Sequence, residues 1–177
     1  MIILVDMDGV LADYNGGIEK ELKRRGMWAP AEEQFKNFYY ADNCLQEYGA
    51  VIETIQRQKG FTFDLEPIQG GKEALEKMVE LGHEVRICTA PFGDYQITMP
   101  EKLAWAEHKI GKDWARRIIL ARDKTLVRGD VLIDDKPEIT GIVKPFWEHV
   151  LYTQSYNEKI EGKRRLTWDN WREVLEI

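Results

Sequence analysis

The run Ile2-Ile3-Leu4-Val5-Asp6-Met7-Asp8-Gly9 constrains this chain more than any other stretch. Its four leading aliphatic residues read as a short strand buried on both faces. The strand ends in acids at alternate positions, Asp6 and Asp8. Alternate residues of an extended segment point the same way, so both carboxyl groups leave on one side. Gly9 then allows a sharp turn. Carboxylates crowded at the tip of a buried strand are costly unless a cation neutralises them. Mg²⁺ suits that task, because it takes a few carboxylates and keeps its other positions for water or phosphate. The bland alternative is an acidic turn after a strand, since Asp-Gly is a common turn pair. It does not explain why a core strand ends with Asp at both alternate positions.

The rest of the pattern makes that strand the first of a βα alternation. Val85 and Ile87 open a strand ending at Thr89, and Ile118–Leu120, Val131–Ile133 and His149–Tyr152 read as three more. Between them, Ala74, Leu75, Met78, Val79 and Leu81 line a helix stopped by Gly82. Leu103, Ala106, Glu107 and Ile110 line another before Gly111. Thr167 is placed to cap a last helix with Trp168, Trp171, Val174 and Leu175 on one face. The charged tract 158–165 reads as a loop. Residues 15–67 differ: they show helical spacing at Ile18 and Leu22 and at Val51, Ile52 and Ile55, many aromatics, and no alternating strand. Pro67, Gly70 and Gly71 punctuate the end of this segment. The expected fold is α/β, a parallel sheet with helices on both faces. Residues 1–14 and 68–177 form its core, and 15–67 form a small helical insert after the first strand. Ligands of such sheets bind beyond the carboxyl ends of the strands.

Composition excludes several functions. A net charge of −6 with no basic stripe argues against a nucleic-acid partner, including a role on DNA or RNA ends. No apolar stretch is long enough to span a membrane. A strand starting at residue 2 leaves no room for a leader peptide, and two cysteines, Cys44 and Cys88, make no disulfide framework. A cytoplasmic protein is the expectation.

Polar residues fall where the strand-end rule puts a site. The first strand ends in Asp6 and Asp8, the second in Thr89, the third leads to Lys124, and the fourth ends in Asp134 and Asp135. Taken singly, Thr89 is a good strand former, Lys124 a solvated lysine, and Asp134-Asp135 a turn before Pro137. Together they supply metal ligands, a nucleophile, an acid, a hydroxyl and a cation. Phosphoryl transfer needs that assortment, since its chief demands are positioning and neutralising phosphate oxygens.

These stretches resemble the haloacid dehalogenase superfamily of phosphohydrolases and, more narrowly, the 5′(3′)-deoxyribonucleotidases. The likeness is carried by residues 5–13, Leu65-Glu66-Pro67, Ile87-Cys88-Thr89, Glu101-Lys102 with Ala104-Trp105, Arg122-Asp123-Lys124-Thr125, Leu132-Ile133-Asp134-Asp135 and Trp147-Glu148-His149-Val150-Leu151. It implies a Rossmann-like core with a helical cap, and Mg²⁺-dependent hydrolysis of deoxyribonucleoside monophosphates. Asp6 is the implied nucleophile, with a low pKa beside the metal and Lys124, and Asp8 is the acid and base. Thr89, the backbone at Ala90, and Lys124 would bind phosphate. Asp6, the Asp8 carbonyl and the Asp134-Asp135 pair would hold Mg²⁺. Tyr14 at the edge of the core, together with Phe38, Tyr39 and Tyr40 of the cap, is the implied base pocket, with Arg122 as a further substrate contact. Relatives of this kind are often homodimers. The chain departs from better-known members at Gln56, Thr62 and Ala90, which bears on base and sugar preference. Two rival expectations are the same machinery acting on a sugar phosphate, and a metal-binding module without turnover.

Overall fold

The computed structural model describes residues 1–177, the side chain of Glu32 excepted. Among the described residues, six strands form one sheet: β1 (Ile2–Val5), β2 (Glu84–Thr89), β3 (Ile118–Leu120), β4 (Val131–Asp134), β5 (Glu148–Tyr152) and β6 (Arg165–Leu166). Their order is β3-β2-β1-β4-β5-β6, and every pairing is parallel. β1 therefore lies inside the sheet between β2 and β4. This placement matches its composition, for Ile3, Leu4 and Val5 are wholly buried. Each contributes about 1.5–3 kcal/mol by leaving water.

The period of two divides the sheet into unequal faces. Ile3, Val5, Val85, Ile87, Val131 and Ile133 point into the larger core. There they meet α3 (Gly71–Glu80) through Ala74, Leu75 and Met78, and α4 (Tyr95–Trp105) through Trp105. Leu4, Cys88 and Leu132 point the other way, under Trp147, Val127 and Ile139.

Residues between β1 and α3 leave and rejoin the core at one point. Asp13 N donates to Glu66 O at 2.8 Å, Ile68 N donates to Leu11 O at 2.8 Å, and Ala12 bridges Pro67. α1 (Tyr14–Arg24) starts there, capped by Asp13, whose carboxylate accepts from Gly16 N at 2.8 Å. Two short 3₁₀ turns, Tyr40–Asn43 and Gln46–Tyr48, lead into α2 (Gly49–Gln56). The far end of the insert is tied to α4. Glu101 accepts from Gly60 N at 2.6 Å and Thr62 N at 3.1 Å, and Trp105 Nε1 donates to Leu65 O at 2.9 Å.

Three local expectations are corrected. α4 begins at Tyr95, because Asp94 caps it by accepting from Gln96 N, and it runs into a π-helical turn at Ala106–Ile110. The tract 158–165 is a loop only as far as Arg164; Arg165 begins the edge strand β6, and its guanidinium donates to Asn157 O and Ile160 O. The last helix, α5 (Trp171–Leu175), starts after Trp168, which instead donates Nε1 to Val10 O at 2.9 Å.

Candidate active site

Parallel pairing brings the carboxyl ends of β1, β2 and β4 side by side. Asp6 extends the ladder by one bond, its N–H donating to Ile133 O at 2.9 Å. The chain then wraps tightly, with Leu11 N and Ala12 N both donating to Met7 O at 2.8 Å. Gly9 holds the turn with φ +73°, and a Cβ there would stand 2.5 Å from Asp135 Oδ2. Only glycine meets both conditions.

Asp6, Asp134 and Asp135 are buried, and each places a carboxylate oxygen within 4.8 Å of the others. Lys124 Nζ lies 2.7 Å from Asp6 Oδ1 and 2.6 Å from Asp134 Oδ2. Asp134 Oδ1 accepts from Lys136 N at 2.9 Å, and Asp135 Oδ2 accepts from the Tyr156 hydroxyl. Asp135 Oδ1 has no hydrogen-bond partner among the described residues. Burial drives the Asp135 carboxyl well above the usual carboxylate range, and Asp134 and Asp6 push the same way. Burial also lifts Asp6, and the opposing pull of Lys124 does not cancel it. The low pKa expected for Asp6 is therefore not reached by protein groups alone. Burial on its own would depress Lys124, but Asp134 and Asp6 outweigh it and hold the ammonium above the lysine range.

Three crowded acids against one ammonium, with an orphaned buried oxygen, form a site that fits a divalent metal. The donors are all hard oxygens, which suit an ion of the Mg²⁺ class.

The site is buttressed from behind. Trp147 Nε1 donates to Lys124 O at 3.3 Å, and His149 Nε2 lies 3.2 Å from Asp134 O. His149 Nδ1 lies 2.8 Å from Lys163 Nζ. Burial, and then Lys163, lowers His149 to about 4, so it is neutral at ordinary pH. Asn157 Nδ2 donates to Asp135 O at 2.8 Å, and Gln154 Nε2 to Gly9 O at 2.7 Å.

Asp8 is half-buried, and its Oδ2 pairs with Lys102 from α4. Burial raises the Asp8 pKa, Lys102 opposes the rise, and Asp6 adds to it. Lys102 also donates to Thr89 Oγ1 at 3.0 Å. Thr89 is wholly buried and lies behind the cavity wall, whereas Ala90 is on it. Sequence reasoning gave Lys102 no role. The available signal was its spacing, since Thr98, Lys102 and Trp105 share the buried face of α4.

A cavity of about 570 Å³ opens above these groups. Asp6, Asp8, Lys124, Asp134 and Asp135 line one end, and Tyr14, Phe38, Tyr39 and Tyr40 line the other. Arg122, exposed beside the Tyr95 ring at 5.6 Å, also reaches it. Tyr14 stands edge-on to Phe61 and Phe92, and its hydroxyl accepts from Gln56 Nε2. Burial raises the Tyr14 pKa, so it stays a neutral phenol. Phe38 is half-buried, edge-on to Tyr39 and Tyr156. Tyr40 is buried edge-on to Phe35, and Tyr39 is 62% exposed. Of the two insert departures, Gln56 lines the cavity, while Thr62 is buried and does not. Phe92 and Lys136 are further lining residues that the sequence reading left out.

Comparison with known proteins gives consistent results. The family model described as "5' nucleotidase, deoxy (Pyrimidine), cytosolic type C protein" matches residues 1–177. A Bordetella pertussis protein, provisionally named a 5′(3′)-deoxyribonucleotidase, is 42% identical over 177 residues, covering 99% of this chain and 95% of its own. The human cytosolic-type 5′(3′)-deoxyribonucleotidase is 39% identical over 190 residues, covering 98% of this chain and 92% of its own. The likeness in fold extends to a haloacid dehalogenase family hydrolase from Deinococcus radiodurans, solved with bound phosphate and sodium. Its TM-score is 0.62 at 18% identity, over 98% of this chain and 94% of that one. No helix among the described residues is long and apolar enough to cross a membrane.

Proposed function

The chain belongs to the deoxy (pyrimidine) 5′-nucleotidase family of cytosolic type C, and on that premise we propose that it is a Mg²⁺-dependent 5′(3′)-deoxyribonucleotidase. One observation carries the reading: a buried acid trio and an ammonium sit at one end of a cavity whose other end is aromatic. Its volume of about 570 Å³ is in the range that encloses a small ligand. Charged strand tips suit a phosphate, and flat rings suit a base.

Asp6 is the nucleophile. One of its carboxylate oxygens forms a bond to phosphorus as the bond from phosphorus to the nucleoside oxygen breaks. The electron pair goes to that oxygen, and Asp8 supplies its proton. Asp8, now a carboxylate, takes a proton from water. The water oxygen attacks phosphorus, freeing orthophosphate and restoring Asp6. Lys124 and the backbone at Ala90 neutralise and orient the phosphoryl oxygens, and Thr89 supports that wall from inside. Asp6, the Asp8 carbonyl, Asp134 and Asp135 would hold Mg²⁺, which supplies positive charge to the phosphoryl group and to the acids. The insert 15–67 acts as the cap; Phe38 and Tyr39 from it, and Tyr14 at its junction with the core, face the base, with Arg122 at the rim.

The net charge of −6 supports a small nucleotide over a nucleic-acid strand as substrate. A homodimer and a cytoplasmic location complete the proposal; family resemblance supports both, and light scattering checks the first. The deciding experiment is phosphate release from the four common deoxynucleoside monophosphates, with and without Mg²⁺. Activity on sugar phosphates with none on dUMP or dTMP would overturn the nucleotidase reading. Release from no substrate would leave a metal-binding module.

A further inference from the structure

Lys102 is wholly buried, yet it carries an ammonium group into the wall beneath the cavity. Its neighbours are Asp8 Oδ2, Thr89 Oγ1 at 3.0 Å, Met7 Sδ at 4.0 Å and the Phe92 ring, whose centroid is 5.1 Å away. We propose that Lys102 is a positioning residue for phosphoryl transfer: it clamps Asp8 by Oδ2 and so presents Oδ1 to the leaving nucleoside oxygen. This rests on the reading of Asp8 as the proton donor.

Three physical points carry the proposal. First, a buried ammonium is expensive, and an apolar side chain of similar volume often serves a core at least as well. Packing alone therefore gives a poor reason for a lysine here. Second, the ammonium has three protons and no acceptor site. Asp8 Oδ2, Thr89 Oγ1 and Met7 Sδ provide three acceptors, so its orientation is determined. A carboxyl group has a nearly two-fold torsion; the clamp breaks that symmetry. Oδ2 is engaged, and Oδ1 is a buried oxygen with no hydrogen-bond partner among the described residues, a want that the leaving oxygen would meet. Third, the clamp favours the product of the step. As the phosphorus–oxygen bond breaks and its electron pair moves to the nucleoside oxygen, Oδ1 gives up its proton and the residual carboxylate charge faces Lys102. Thr89 must accept from Lys102, so its own hydroxyl proton points elsewhere.

The test uses leaving groups that differ in their need for a proton. dUMP expels a basic alkoxide-like oxygen, whereas p-nitrophenyl phosphate expels a stable phenolate. Values of kcat/KM, which cover steps up to the first irreversible one, are compared for the native enzyme, Lys102→Met, Lys102→Gln and Asp8→Asn. Thermal melts establish folding first. Lys102→Met is expected to lose about a hundredfold on dUMP and about tenfold less than that on the aryl ester, with Asp8→Asn showing the same bias more strongly. Equal losses on both substrates, or none, would overturn the role of Lys102 while a biased Asp8→Asn left the acid assignment standing. An unbiased Asp8→Asn would remove the acid assignment, and the clamp with it. If neither Lys102 variant folds, the residue is a core pin and the proposal fails.

Discussion

The two ends of the cavity are built on opposite plans. At the strand-tip end, Asp6, Asp134 and Asp135 are buried, and each sits at or next to the end of a paired strand. Lys124 enters from a loop that is itself fastened, because Asp123 accepts from Thr125 N and Ile142 N at 2.9 Å each. At the aromatic end most of the rings come from an inserted segment with short turns, joined by Tyr14 at its root and Phe92 beyond β2, and exposure ranges from the buried Tyr40 to the open Tyr39. The contrast teaches a division of labour: groups that must be placed to a fraction of an ångström hang on the sheet, while groups that need only offer a flat surface hang on an insert. Rigid elements hold geometry better than loops do.

The largest effect should come from the sheet end. Asp6→Asn is expected to cut phosphate release more than about a thousandfold, while calorimetry still detects orthophosphate binding in Mg²⁺. Near-normal turnover would end the covalent scheme. Next comes the charge balance of the buried acids. Asp6, Asp8 and Asp135 all titrate above their unfolded value in the metal-free chain. A raised folded pKa gives stability that is present at low pH and is lost as pH rises through the folded value. His149, held down to about 4, works the other way over the same range, because its unfolded imidazole charges below about 6.5. The acids are therefore read by difference: between about pH 7 and about pH 5 in EDTA the native chain should gain at least about 3 °C in melting temperature relative to Asp135→Asn, the shift that about 1 kcal/mol makes at this chain length. Mg²⁺ should erase that difference; an Asp135→Asn chain that gains as much as the native one, or more, would refute this account of the acids.

Gly9→Ala should cost about 1–3 kcal/mol in urea unfolding, because the new Cβ meets Asp135 and the backbone is left-handed. The aromatic end should respond more gently, and in KM. Phe38→Ala is expected to raise KM for dUMP about tenfold with kcat within about threefold, and to spare any sugar-phosphate activity. Tyr39→Ala should change KM by less than about twofold, as suits a ring so exposed. If Phe38→Ala instead collapsed kcat, the division between the two ends would be false.

The sheet end was also the more legible end, for a physical reason. An aliphatic run that stops at Asp6 violates the expectation for a core strand, and a violation carries information. The pair Asp134-Asp135 repeats that violation on the neighbouring strand. Lys102 carries the same kind of signal more faintly, because a lysine between Thr98 and Trp105 on a helix looks solvated until the helix docks. β6 was hidden because its two residues, Arg165 and Leu166, pair with β5 through backbone that composition does not mark. Trp168 fitted a helical face by spacing, yet its indole N–H is used by Val10 O before the helix begins. In the insert, no spacing separates Tyr40, which packs on Phe35, from Phe38, which is half-buried at the cavity. Tertiary packing alone distinguishes them.

Glu101 and Lys102 are consecutive on α4, and they hold different parts of the molecule. The first grips the backbone of the insert at Gly60 and Thr62, and the second grips the carboxyl of Asp8. A helix is a stiff rod, so a tilt that follows the insert is levered directly onto the Asp8 carboxyl, the proposed proton donor. Docking of the insert and alignment of that carboxyl are thereby geared to a single shaft.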